Sequence, residues 1–198
     1  MNGWRLTGVL SLLLTAMALY LLSVQGWDAE GIRLVIRATA RTSLVLFVLA
    51  FTASAMVEFL PNEATHWQRR NRRYLGVSFA VSHLIHLIAI LSLASIDQAL
   101  FWKLTNINTI VLAGTAYLFI ATMAATSFDR TAAWLGPRKW RLLHLLGGWY
   151  VWISFAVAVG KRVPIDSFYW PMAALILAAG VVRLVAMWRR NRRRAALV

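Results

Sequence analysis

Asp, Glu, Lys and Arg are absent from six long intervals of the chain: Leu6–Trp27, Thr42–Val57, Tyr74–Ile96, Leu104–Phe128, Leu142–Gly160 and Ser167–Val182. Each interval is continuously apolar rather than alternating, which excludes the strands of a membrane β-barrel. A helix crosses a bilayer with about 20 mostly apolar residues and tolerates about 17–25. Four intervals reach that length unaided. The second reaches it by extending backward through Arg41 and Arg37, and the last by extending forward through Arg183 toward Arg189. Long arginine stems near a helix end carry their charge out to the headgroups, so both extensions are physically reasonable. The pattern predicts an all-α polytopic membrane protein, a single domain over residues 1–198. Its six-transmembrane-helix bundle has helices at about 4–25, 35–59, 73–95, 103–126, 140–160 and 167–189. The first stretch exceeds a usual signal-peptide apolar region and has no Ala-x-Ala site before Asp28, so it reads as a retained span.

Composition narrows the chemistry. The 198 residues are 60% hydrophobic and 14% charged, against about 25% charged in an ordinary soluble domain. With no cysteine, thiolate-held iron–sulfur clusters, zinc-thiolate sites and cysteine nucleophiles are excluded. There are seven acidic residues, and no carboxylate pair, Ser/His/Asp set or Gly-rich phosphate loop falls inside the bundle. Hydrolase and kinase readings therefore lack their parts.

The net charge of +14 is distributed unevenly. Fourteen basic residues lie at alternate span ends: Arg5; Arg69, Arg70, Arg72 and Arg73; Arg130, Arg138, Lys139 and Arg141; and Arg189, Arg190, Arg192, Arg193 and Arg194. Six lie at the opposite ends: Arg33, Arg37, Arg41, Lys103, Lys161 and Arg162. Cytoplasmic loops carry the Lys/Arg excess, so both the N- and C-termini are predicted to be cytoplasmic. Trp4, Trp27, Trp67, Trp102, Trp140, Tyr169, Trp170 and Trp188 fall near span ends, as an interfacial aromatic belt requires. Arg-Arg-Asn-Arg-Arg occurs twice, at 69–73 and 189–193. At a helix mouth this reads as a topology and lipid-headgroup anchor, with the lipid bilayer as partner and no nucleic acid. Arg33, Arg37 and Arg41 form a similar headgroup-facing stripe.

Inside a membrane an ionisable or metal-ligating side chain is a functional hypothesis by default. His83 and His86 in the third span share one helix face, and His144 stands near the start of the fifth. His66 lies in the arginine-rich loop and needs no function. Neutral imidazoles ligate haem iron between membrane helices, and they also hydrogen-bond neighbouring helices. Spacing alone leaves both readings open. Gly147 and Gly148 follow His144 and leave room either for a macrocycle or for close helix packing. Asn106 and Asn108 suit helix-to-helix hydrogen bonds better than a quinone pocket. Glu58 is expected to pair with the arginine-rich loop, and Asp129 and Arg130 to cap and orient the fifth span.

The stretch Asn71-Arg-Arg-Tyr-Leu-Gly-Val-Ser-Phe-Ala-Val-Ser-His-Leu-Ile-His-Leu87 resembles the third helix of the ferric-reductase-like transmembrane family. Thr126-Ser-Phe-Asp-Arg130, with Trp134-Leu-Gly-Pro-Arg-Lys-Trp-Arg-Leu-Leu-His144, resembles that family's approach to its fifth helix. In size and layout the chain is similar to the branch formed by the six-helix haem subunits of bacterial methionine sulfoxide reductase systems. The resemblance implies a bacterial inner-membrane b-type cytochrome, a membrane component of an oxidoreductase without its own flavin domain. It would pass electrons from a cytoplasmic flavin donor or quinol to an extracytoplasmic acceptor. It further implies haem b, with His86 and His144 as iron ligands and His83 as a third cofactor-binding candidate. Where the family carries a second histidine of the fifth helix, this chain has Val157, with Ala158 beside it, and neither binds iron. At about 1.5 Å per residue, His86 lies roughly 20 Å past Arg73, His83 about 15 Å, and His144 only about 5 Å past Arg141. Two axial ligands need equal depth, so the expected arrangements are a single ligand at His86, an irregular His83–His144 pair, or a haemless structural or assembly subunit. A transporter is disfavoured, because the spans are unbroken and no internal repeat extends beyond the pentapeptide.

Overall fold

The computed structural model describes residues 1–196. Its helices are α1 (Trp4–Gln25), α2 (Ala29–Phe59), α3 (Glu63–Ile96), α4 (Gln98–Leu104), α5 (Ile107–Ala125), α6 (Asp129–Leu135), α7 (Pro137–Gly160) and α8 (Trp170–Ala195), the last preceded by a 3₁₀ turn at Ser167–Tyr169. Six of them are long and apolar enough to cross a membrane: α1, α2, α3, α5, α7 and the stretch Ser167–Arg193.

The boundaries follow local chemistry. Gly26, at φ 97°, ends α1 in a conformation that a side chain disfavours. The Asp28 carboxylate then accepts from the Gly31 amide at 2.9 Å and starts α2. A Cβ on Gly31 would overlap the Gly26 carbonyl, so this turn is built around a bare α-carbon. Asn62 and Thr65 form a reciprocal capping box at the start of α3. The Asp97 and Asn106 side chains cap α4 and α5 by accepting from the Leu100 and Thr109 amides. Gly136, at φ 78°, precedes Pro137 at the first turn of α7.

Several expected boundaries move. The second helix begins six residues before residue 35, at Ala29, because Asp28 is its cap. The third begins at Glu63, so the arginine-rich segment and His66 are helical rather than loop. Nothing between the Asn62 cap and Tyr74 breaks a helix, and arginine is a good helix former. The fourth begins at Ile107 rather than at 103, because Asn106 is engaged as its cap and Gln98–Leu104 forms a separate helix. The last runs beyond residue 189 to Ala195.

α2 lies at the centre of the architecture, packed on α1, α3 and α8, while α5 and α7 pair on the far side. Leu46, Phe47, Phe51, Leu75, Phe79, Ile120 and Val151 form the shared core. The first residues of the chain and the Arg190 turn of α8 lie at one pole. The Met1 carbonyl accepts from Trp67 Nε1 at 3.1 Å, the Gly3 amide donates to Asn71 Oδ1 at 3.0 Å, and Arg190 pairs with Glu58 at 2.8 Å. Arg69–Arg73 and the start of α7 share this basic pole.

Candidate functional site

Besides the buried hydroxyl and amide side chains between α2 and α3, two polar features stand out in the interior of the described residues. The first is an imidazole cluster deep on α3. His83 and His86 stack at 5.2 Å between ring centroids and 28° between planes, as their shared face demands. His86 Nδ1 lies 3.0 Å from the Ile36 carbonyl and 3.0 Å from Thr39 Oγ1, both on α2. A carbonyl only accepts, so Nδ1 carries the proton and Nε2 keeps its lone pair. Thr39 is itself fully buried and donates to the Val35 carbonyl at 2.6 Å. The ring of His83 is enclosed by Phe79 at 5.3 Å, Tyr117 at 4.8 Å and Phe155 at 5.8 Å. Its Nδ1 and the Tyr117 hydroxyl are buried and have no hydrogen-bond partner, which makes them the unsatisfied polar atoms of the midsection.

The second feature is a cavity of about 450 Å³ at the basic pole, between α2, α3, α5, α7 and α8. Its deep wall is apolar, with Phe47, Phe51, Phe79, Ile120 and Met123. Its polar lining holds Arg69, Arg70, Arg72, Arg73 and Arg183, with Asp129, Trp140 and His144. His144 stacks on Trp140 at 4.1 Å and lies 3.4 Å from Thr126 Oγ1. The two glycines after it differ in role. A Cβ on Gly147 would meet Met123 Sδ at 2.8 Å, so that position lets α7 approach α5. Gly148 borders the cavity, and a Cβ there would meet the Arg183 guanidinium and Phe51 at 3.6 Å.

His86 and His83 are thus together, and His144 stands apart at the cavity with no ring contact to either. The residue of α7 that reaches His83 is Phe155, two positions before Val157. Val157 is exposed. The donor chemistry of the α3 cluster suits a group ligated by one imidazole. His86 is held in the ligating tautomer and unsatisfied polar atoms lie beside it, while the neighbouring His83 ring is packed on Phe79, Tyr117 and Phe155. Ligation by two imidazoles across α3 and α7 does not fit, because α7 offers no donor at that level. Among the described residues no group of three or more His, Asp or Glu side chains gathers as a metal ion would need.

Other expected roles change. Glu58 pairs with Arg190 of α8 rather than with the 69–73 segment. Asp129 is not a cap of α7; it binds Arg73 at 2.7 Å and ties the α5–α6 connection to α3. Asn106 caps its own helix at Thr109 instead of joining helices, and Asn108 is exposed. Of the basic stripe, Arg33 pairs with Glu30, and Arg41 lies over the Phe168 ring at 4.5 Å. Sequence reasoning missed Thr39, Ile36, Tyr117 and Phe155. Of these, Tyr117 left a signal, as the one tyrosine of its span. Comparisons with protein-family models, with curated proteins and with solved structures returned no match.

Proposed function

We propose that this chain is a membrane cytochrome of the ferric-reductase-like kind, carrying one haem b on a single protein ligand, His86. The carrying observation is the hydrogen bond from His86 Nδ1 to the Ile36 carbonyl, which leaves Nε2 as the available lone pair. Metal-ligating histidines are oriented in this way. A haem in this position would supply a one-electron iron couple. Thr39 and Ile36 fix the ring of His86, and Phe79, Phe155 and Tyr117 keep water from the midsection. In this reading the protein lies in a bacterial inner membrane with its basic pole and both termini in the cytoplasm, following the Lys/Arg excess. Electrons come from a cytoplasmic flavoprotein or from quinol and leave to an extracytoplasmic acceptor.

The test is the absorbance spectrum of the detergent-purified full chain, produced with haem available, before and after dithionite. A b-type Soret band that shifts on reduction is expected. It should be lost in His86→Ala and retained in His144→Ala. Colourless protein, or a band indifferent to His86→Ala, overturns this assignment. The exposure of Val157, where the resemblance wants a ligand, favours a second reading, a haemless structural subunit of a larger complex. Colourless protein that co-purifies with partner chains supports it.

A further inference from the structure

The cavity at the basic pole is not used by the His86 site, and its charges do not balance. Five guanidiniums border it and one carboxylate, Asp129, which is already bound to Arg73. Arg72 and Arg183 are half-buried. Arg72 donates to the Ser54 hydroxyl at 3.1 Å. Arg183 donates to the Phe51 carbonyl at 3.1 Å and lies over the Phe51 ring at 4.0 Å. Among the described residues neither meets a carboxylate. Withdrawing such charges from water without a counter-ion is costly, and their mutual repulsion adds to that cost. Such a set of charges is suited to an anion.

The cavity also indicates the shape of that anion. Arg69 and Arg70 are exposed at the rim, Arg72 and Arg183 lie deeper, and beyond them the wall is aromatic and aliphatic. Such a polarity gradient suits a charged head on an apolar body. A guanidinium pair matches phosphate oxygens, and the helices around the cavity are long enough for a bilayer to supply the ligand. We propose that this cavity binds the phosphate headgroup of an anionic phospholipid, held by Arg72 and Arg183 with its first apolar segment along Phe51, Phe79 and Ile120. Basic pockets between membrane helices take lipid phosphates on these grounds.

The test is native mass spectrometry of the full chain from mixed micelles of phosphatidylglycerol and phosphatidylcholine with the same acyl chains. One retained phosphatidylglycerol is expected. Arg72→Gln with Arg183→Gln should weaken its retention about thirtyfold, because the phosphate then has neither guanidinium to pair with. Arg37→Gln, at the opposite pole, should leave it unchanged. Ala124→Trp fills the cavity without touching its charge and should also abolish retention, which keeps the test decisive if the arginine variants fail to fold. Equal retention of phosphatidylcholine, or retention unaffected by Ala124→Trp, overturns the proposal. So does displacement by inorganic phosphate alone, which would make the site one for a free anion. A porphyrin mass in place of lipid, lost in His144→Ala, would assign the arginines to haem carboxylates and likewise overturn it, while leaving the His86 spectrum as a separate question.

Discussion

The two sides of the bundle are assembled by opposite means. Between α2 and α3 the contact is a seam of small polar side chains. Thr39, Ser43, Ser78 and Ser82 are fully buried, and Ser82 is hydrogen-bonded to Ser43 at 2.9 Å and Thr42 at 3.0 Å. Gln68 extends the seam, donating to the Leu49 carbonyl at 2.8 Å and Thr52 at 3.2 Å. Small residues let helix backbones approach, and hydrogen bonds hold them where the hydrophobic effect has no grip. Between α5 and α7 the contact is made by large flexible groups, with Met123 and Phe119 set against Gly147 and the Tyr150 hydroxyl reaching the Leu112 carbonyl at 3.4 Å. The cavity opens on that side. The seam orients His86 through Thr39 and Ile36, while the looser side supplies room. A rigid positioning face and an adaptable binding face divide the work between them.

Enlarging a seam residue should have the largest effect. Ser82→Leu inserts bulk where nothing is exposed and removes the hydrogen bonds to Thr42, Ser43 and the Thr39 carbonyl, and a loss of about 3 kcal/mol is expected. Unfolding in a graded detergent titration measures it, and a loss below about 1 kcal/mol would mean that the seam yields as readily as the other side. Gln68→Leu keeps the volume close and removes only the bonds to Leu49 and Thr52. The expected cost is about 1–2 kcal/mol, since interhelical bonds in membranes are individually modest.

What was legible in the sequence follows the same division. The six spans could be read because excluding charge from a membrane interior is a strong constraint, and the aromatic and basic residues marked their ends. The extension of α3 back to Glu63 was hidden, because arginines that look like a loop propagate a helix once Asn62 and Thr65 have started it. His83 and His86 were legible as a pair from their spacing. Their environment was not, because Thr39 meets His86 across 47 positions and Tyr117 meets His83 from another helix. The cavity was invisible for the same reason. Arg72 and Arg183 come from segments more than a hundred residues apart, and each looked like an ordinary helix-end cation. Glu58 showed that it needed a partner, but not that the partner would be Arg190.

The smallest effect is expected at Gly148, and it sharpens the comparison most. An added methyl there meets only ordinary contacts, at 3.6 Å from the Arg183 guanidinium and from Phe51. Alanine is also the better helix former by about 1 kcal/mol in an exposed helix interior. Gly148→Ala should therefore fall between neutral and about 1 kcal/mol stabilising in the same titration. Gly147→Ala, one residue away, meets Met123 Sδ at 2.8 Å and Phe119 at 3.0 Å and should cost up to about 1 kcal/mol more, limited by the ease with which a methionine side chain moves aside. If Gly148→Ala instead proved as damaging as Ser82→Leu, α7 would pack as tightly as the seam. The space assigned to a lipid headgroup would then be closed in the working protein.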